Sequence, residues 1–216
     1  GGYGLHGASS AQNEFLMIGP DERYDVAHFE FIMRAARKIM VERPELKDVV
    51  SVSLHCEFAD ILNAYTRIVE REGKLDGLAA YSAARPPHSE GLAIWIASYL
   101  AYETECLNIN LLHLSSHKAV EAALMMRKTF PHINFRLEVT AGHLLLDTDC
   151  ACGVHAKVNP PIRPRPDVEA LWAAVKNGDI DWVVSDHACC SAEQKWAHQH
   201  PENIWLAKSG FGEIGR

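Results

Sequence analysis

The feature that most constrains how this chain folds is an alternation between two kinds of segment. Short β-branched or apolar runs fall at 49–54, 109–112, 133–139 and 180–184. Longer amphipathic stretches occupy 27–41, 57–72, 89–102, 116–130 and 167–177. Strands and helices in alternation predict βαβ units and a parallel sheet. The strand runs are almost continuously apolar, as expected where helices cover a sheet. Ser116 is placed to cap a helix that buries Val120, Ala123 and Leu124, while Asp167 and Gly178 bracket another as N-cap and C′ residue. No linker, low-complexity tract or internal repeat divides the 216 residues, so they form one domain or part of one.

Composition narrows the partners. Hydrophobic residues make up 48% and charged residues 23%, which excludes wholesale disorder. Lys and Arg total 21 against 28 Asp and Glu, a net charge of -7 that argues against nucleic acid or an anionic membrane. No apolar run reaches the roughly 18 residues that span a bilayer. Gly1-Gly2-Tyr3-Gly4 shows neither the basic nor the hydrophobic region of a secretion signal. Six cysteines, two of them the adjacent Cys189 and Cys190, suit reduced thiols and a cytoplasmic setting. The unusual count is 12 His, which directs attention to metal ligands.

Several strand runs end in a chemically capable residue: His55 in Ser53-Leu54-His55-Cys56-Glu57, His113 in Leu111-Leu112-His113-Leu114-Ser115-Ser116, and Asp186 in Val183-Val184-Ser185-Asp186-His187. Singly, each has an ordinary explanation. A His after a strand is commonly a hydrogen-bonded structural residue, and Asp-His commonly satisfies loop donors. In barrels of alternating strands and helices, however, the active site is built at the carboxyl ends of the strands. Two neutral imidazoles and a carboxylate suit zinc or a similar divalent ion. The joint pattern therefore predicts one shared metal site.

These stretches, the last of them taken from Asp181-Trp182 through His187, together with Lys157-Val158-Asn159-Pro160-Pro161-Ile162-Arg163, resemble the cyclic amidohydrolases: dihydroorotase, allantoinase and the hydantoinase/dihydropyrimidinase group. Weaker matches are Ala84-Arg85-Pro86 with Glu90, and Leu137-Glu138-Val139-Thr140 with His143-Leu144-Leu145. The resemblance implies an eight-stranded TIM barrel of which strands four to eight are present, and hydrolysis of a small cyclic amide. It implies a binuclear site, usually zinc, whose hydroxide attacks the ring carbonyl. His55 and His113 would then ligate the second metal and Asp186 the first, with Asp186 also carrying the proton to the leaving nitrogen. Metal coordination lowers the pKa of water from 15.7 to about 7, which is what a stable amide requires of its nucleophile. Asn159 matches a position that contacts the substrate ring in the family; its ordinary reading is a turn former before two prolines. A homo-oligomer is implied for the full-length form.

The departures are as informative. The family's His-x-His pair on the first strand has no counterpart among these residues, and His198-Gln199-His200 follows the last strand and reads as solvated surface. Gly1-Gly2-Tyr3-Gly4-Leu5-His6 places His6 where the family has a bridging carboxylated Lys. An imidazole binds one metal but does not bridge two as a carbamate does, so His6 is either a third ligand of a mononuclear site or no ligand. Residues 1–216 are accordingly expected to be the carboxyl-terminal half of a barrel domain, incomplete at both ends.

Within the family, the 157–163 stretch and Glu138-Val139-Thr140 look most like dihydroorotase or hydantoinase. Cys190, four positions after Asp186, looks more like allantoinase and is a candidate substrate contact. A dihydroorotase usually has His there. Cys150-Ala151-Cys152 with Cys189-Cys190 lacks the context of a thiolate metal site. Dihydroorotase-like hydrolysis is the leading expectation, with the allantoinase and hydantoinase branches as alternatives. A non-catalytic scaffold that has lost the bridging ligand is the competing class, favoured by His6 and opposed by His55, His113 and Asp186.

Overall fold

The structure is a computed structural model, and it describes the backbone of Tyr3–Gly4 and residues 26–195 and 203–212. His6, His198 and His200 lie outside the described residues. The elements in chain order are β1 (Tyr3–Gly4), α1 (Val26–Glu42), β2 (Val52–His55), α2 (Ala59–Glu72), α3 (Gly77–Ala84), α4 (Pro87–Glu103), β3 (Asn108–Leu111), α5 (His117–Thr129), β4 (Asn134–Thr140), α6 (Ala141–Leu145), α7 (Arg165–Asn177) and β5 (Trp182–Val184). Short 3-10 turns occur at Pro44–Leu46 and Gly153–Ala156.

All five strands run parallel in one sheet, in the order β1-β2-β3-β4-β5. Leu54, Leu111 and Leu137 stand in register across the three central strands and are fully buried. Met33 and Met40 of α1, Ala93, Ile94 and Ala97 of α4, and Ala119 and Ala123 of α5 share the same core. Small residues on α4 and α5 bring these helices close to the sheet; each larger side chain in the core contributes about 1.5–3 kcal/mol by leaving water.

Helix ends follow their local chemistry. Ser116 accepts from Ala119 N and caps α5 as the sequence predicts. Gly178 ends α7 at φ 77°, the left-handed conformation glycine adopts without a Cβ clash. Asp167 corrects the expectation. α7 begins two residues earlier, with a proline in its first turn, and the Asp167 carboxylate instead accepts from His117 N, at the start of α5. It thus satisfies a donor on a neighbouring helix, near the positive end of that helix dipole.

β2 and β5 start two or more residues later than the apolar runs suggest. Val49 is 71% exposed, in a turn whose carbonyls at Lys47 and Val50 are held by Asn108 Nδ2. β5 begins at Trp182 because Asp181 lies outside the ladder, its carboxylate accepting from Leu137 N and pairing with Arg127.

A second, smaller core joins α3 to the loop after α6. Leu78, Tyr81, Val154, Val158, Ile162 and Ile204 are buried in it. Two buried lysines fasten the 203–212 segment there: Lys157 Nζ donates to the carbonyls of Trp205 and Ala207, and Lys195 Nζ to those of Lys157 and Lys208. Burial pulls both ammonium groups down to about 8. Gly210 sits at φ 102°, where an added Cβ would lie 2.7 Å from Ala188 Cβ. Among the described residues no helix is long and apolar enough to cross a membrane.

Candidate functional site

Because the strands are parallel, their carboxyl ends lie along one edge of the sheet. His55 is the last residue of β2, and His113 follows β3 by two residues. Asp186 follows β5 by two residues. The chain turns sharply at both loop positions: His113 has φ 37° and Asp186 φ 48°. Left-handed backbone costs a non-glycine residue about 1–2 kcal/mol, and such residues gather at functional sites.

The two imidazoles meet. Nδ1 of His55 lies 2.9 Å from Nε2 of His113, with the ring centroids 4.5 Å apart and the planes at 69°. Two nitrogens bound at 2.0–2.1 Å to one tetrahedral ion stand about 3.3 Å apart, so a shift of a few tenths of an ångström converts this contact into a ligand pair. The rest of each ring suits that role. His55 Nε2 is 2.7 Å from Glu57 Oε2, which leaves Nδ1 as the lone-pair nitrogen. His113 is buried, and its Nδ1 has no hydrogen-bond partner. Burial, reinforced by the neighbouring His55 and His143, holds His113 well below the usual imidazole range and keeps it neutral.

Glu57 orients His55. It is wholly buried, accepts from Arg85 Nε at 2.9 Å and Nη2 at 2.5 Å, and gives its second face to the imidazole. Burial alone would raise its pKa, but Arg85 and the His55 bond outweigh burial and hold the carboxyl well below the ordinary carboxylate range. A carboxylate behind a ligating His is the usual means of fixing ring orientation. A second buried ion pair stands beside it. Arg163 donates to Glu90 Oε1, Ser115 Oγ and the carbonyl of Arg85, and Glu90 also accepts from Ser115 N. Four buried charges therefore cancel in two pairs linked through one backbone carbonyl, and the loop that carries His113 is tied to them at Ser115.

Asp186 is exposed as a residue, yet desolvation raises its carboxyl above the ordinary range, against the opposing pull of His55. Glu138 lies between the two strand ends. Its carboxylate accepts from His113 N at 3.2 Å and from Trp182 Nε1 at 2.7 Å, and it interacts electrostatically with Asp186. The structure thus joins His55 directly to His113 and sets Asp186 on the same edge, within electrostatic range of His55. Among the described residues no group of three or more His, Cys, Asp or Glu is assembled to hold a metal. The fit to a divalent ion rests on the imidazole pair.

Asn159 is anchored to the second core through Tyr81. Tyr81 Oη donates to its Oδ1 at 2.5 Å, and the carbonyl of the following Pro160 accepts from His143 Nε2 at 2.9 Å. Cys190 is half-buried in the loop after Asp186, with Lys195 as an electrostatic neighbour. Five residues went unread as participants in the sequence: Glu57 and Arg85, which brace His55, Arg163 and Glu90, which pair beside them, and Tyr81. The first four fall within the family-like stretches, but buried pairing is invisible without coordinates. Tyr81 carries no sequence signal.

No family model matches the chain. An allantoinase from Salmonella gallinarum is 34% identical over 147 residues, covering 67% of this chain and 32% of that protein. One from Escherichia coli O139:H28 is 35% identical over 146 residues, covering 67% and 31%. The chain spans about a third of the length of the curated relatives it matches. Among solved structures, an L-hydantoinase (dihydropyrimidinase) from Arthrobacter aurescens superposes with a TM-score of 0.78 at 23% identity, covering 96% of this chain and 42% of that one. A D-hydantoinase (dihydropyrimidinase) from Thermus sp. gives 0.73 at 24%, covering 88% and 40%. The fold is accordingly that of the amidohydrolase TIM barrels, with five consecutive strands of the barrel described here. Over 67% of its length, therefore, the chain is similar to allantoinases, which are cyclic amidohydrolases.

Proposed function

We propose that residues 1–216 are the carboxyl-terminal half of a barrel domain that opens a small cyclic amide by hydrolysis. The observation that carries this reading is the 2.9 Å approach of His55 Nδ1 to His113 Nε2 at the carboxyl edge of the sheet. His55 and His113 would hold a divalent ion, zinc by the chemistry of the donors, with Asp186 a carboxylate on the same edge within electrostatic range of His55. A divalent ion bound there supplies Lewis acidity, lowering the pKa of water and polarising a carbonyl.

The remaining work falls to this chain's own groups. Glu57, braced by Arg85, keeps the proton of His55 on Nε2 and its lone pair on Nδ1. Glu138 accepts from His113 N and from Trp182 Nε1, and so holds the ends of β3 and β5 in place. Asp186 takes the proton of the attacking water on its carboxylate and returns it to the ring nitrogen as the amide bond breaks. Asn159 contacts the ring, and Cys190 stands in the loop beyond Asp186 as a second contact.

The test is turnover by the whole protein, supplied with zinc, of dihydroorotate, allantoin and hydantoin, each as wild type and as Asp186→Asn. Ring opening of at least one substrate by wild type, with loss of about 10³-fold or more in the variant, supports the reading. Equal turnover in both contradicts the role of Asp186, and no turnover of any ring by a zinc-loaded protein contradicts the activity.

A further inference from the structure

His55 and His113 are each held from behind by a different buried carboxylate. His55 Nε2 lies 2.7 Å from Glu57 Oε2, whereas Glu90 holds the loop that follows His113. Glu90 Oε2 accepts from Ser115 N at 3.1 Å, and its Oε1 accepts from Ser115 Oγ at 2.5 Å and Ser116 Oγ at 3.3 Å. Glu90, Ser115 and Ser116 are all at most 1% exposed. Two residues before Ser115 the backbone of His113 is left-handed, a conformation a non-glycine residue keeps only where its surroundings impose it. The anchoring of Ser115 and Ser116 is one such constraint. The hydrogen bonds that His113 N and Leu114 N donate to Glu138 are another.

One guanidinium joins the two supports. Arg163, itself buried, donates from Nε to Ser115 Oγ at 2.9 Å, from Nη2 to Glu90 Oε1 at 2.5 Å and from Nη1 to the carbonyl of Arg85 at 2.5 Å. Arg85 in turn donates from its own guanidinium to both oxygens of Glu57. An unbroken run of bonds therefore leads from His55 through Glu57, Arg85 and Arg163 to Glu90, Ser115 and the turn at His113. Arg163 reaches across 48 positions to Ser115 and 78 to Arg85, so no local structure imposes this link. Shape matters here as much as charge. A guanidinium offers its N–H groups in a rigid plane, and a hydroxyl, a carboxylate and a carbonyl take up that plane around Arg163. A lysine ammonium carries the same charge but cannot match the fork.

We infer that Arg163 is a positioning residue that sets both imidazoles at once, so that His55 and His113 meet an ion as one preformed pair rather than as two independent ligands. This rests on the reading that the two imidazoles hold a divalent ion, and it adds the residue that governs their approach. Loss of the Arg163 fork frees the turn at His113 and, through the carbonyl of Arg85, loosens the brace on Glu57. The contributions of Arg163 and Glu57 to ion binding are therefore not additive.

The experiment uses the whole protein, stripped of metal and titrated with cobalt(II), with affinity read by calorimetry and ligand geometry by the visible spectrum. Arg163→Lys keeps a cation opposite Glu90. It is expected to weaken cobalt binding about 10–100-fold and to alter the visible bands of the bound ion. Glu90→Gln combined with Arg163→Met leaves no unpaired charge in the interior. This variant is expected to unfold in urea nearer to wild type than Arg163→Met alone, yet to keep the weakened cobalt binding. Arg163→Lys combined with Glu57→Gln is expected to bind cobalt within about twofold of the weaker single variant. Wild-type affinity and spectrum in Arg163→Lys overturn the inference. Recovery of cobalt affinity together with stability in the charge-free variant also overturns it, because that marks a merely structural role. Losses that multiply in the combined variant overturn it as well, because they mark two independent braces. None of these three results touches the metal reading, provided that His113→Ala weakens cobalt binding. Cobalt affinity unchanged by His113→Ala overturns that reading and this inference with it.

Discussion

Nδ1 of His55 and Nε2 of His113 face each other at 2.9 Å from the ends of neighbouring parallel strands, although 58 positions separate them in the chain. Two basic nitrogens in a partly buried setting ordinarily turn toward acceptors. Here each is turned toward the other, because Glu57 has taken the opposite nitrogen of His55 and the left-handed backbone at residue 113 aims the second ring back along the sheet edge. A pair of imidazoles prearranged in this way lowers the cost of gathering ligands around an ion.

Glu57→Gln tests the bracing of that pair. The amide is nearly isosteric but cannot match a carboxylate against both Arg85 and His55. Zinc or cobalt affinity, measured by calorimetry, is expected to fall 10–100-fold. The buried Arg85 left without its counter-charge is expected to cost about 3–5 kcal/mol in urea unfolding. Arg85→Met in the same background should recover part of that stability but not the metal affinity.

Asp186→Asn separates chemistry from fold. Asn tolerates left-handed backbone as well as Asp does, and residue 186 is exposed at φ 48°, so unfolding free energy is expected to change by less than about 1 kcal/mol. Ring-opening activity should disappear. A large loss of stability would mean that Asp186 holds the loop rather than serving the reaction.

His143 gives the fold a dependence on acid. It is buried between Thr140 Oγ1 and the carbonyl of Pro160, and burial pulls its pKa down from 6.5 to about 4. The unfolded chain therefore binds this proton at higher pH than the native one does. Stability from this group is complete above pH 6.5, is lost as pH falls from 6.5 toward 4, and changes little below that. The total is about 3 kcal/mol. Urea midpoints across this range should fall in wild type, and fall less in His143→Gln.

Gly210→Ala probes the strap over the second core. The added methyl would stand 2.7 Å from Ala188 Cβ at a φ of 102°. Clash and backbone strain together should cost about 2–4 kcal/mol, seen as a lower unfolding midpoint. Because residue 188 follows Asp186 by two positions, Asp186-dependent turnover is expected to fall as well.

Much of the architecture was legible because each helix that flanks the sheet must be amphipathic and each buried strand must be apolar. α1, α2, α4 and α5 lie within two residues of the stretches read from periodicity. α3 was not legible: Leu78, Ala80, Tyr81, Ser82 and Ala84 are all buried, so it has no polar face to mark a period. α6 is five residues long, too short for a repeat to show. Asp167 looked like a cap for its own helix and serves another, a choice made by tertiary packing.

At strand ends, chemically capable residues interrupt the apolar runs and draw attention to His55, His113 and Asp186; the structure brings the two imidazoles together and sets Asp186 on the same edge. The site was not legible in depth. Glu57, Arg85, Glu90 and Arg163 are scattered over more than a hundred positions, and only burial forces them into two pairs. The anchoring of Asn159 likewise depends on Tyr81 and Ser209, which no local pattern joins to it.

The central claim is that His55 and His113 share one ion. Anomalous diffraction at the zinc edge, on crystals of the whole protein grown with zinc, tests it most directly. The account predicts a peak within about 2.1 Å of both His55 Nδ1 and His113 Nε2. A zinc-loaded protein whose anomalous peaks all lie elsewhere, with the two rings still in contact, would contradict it.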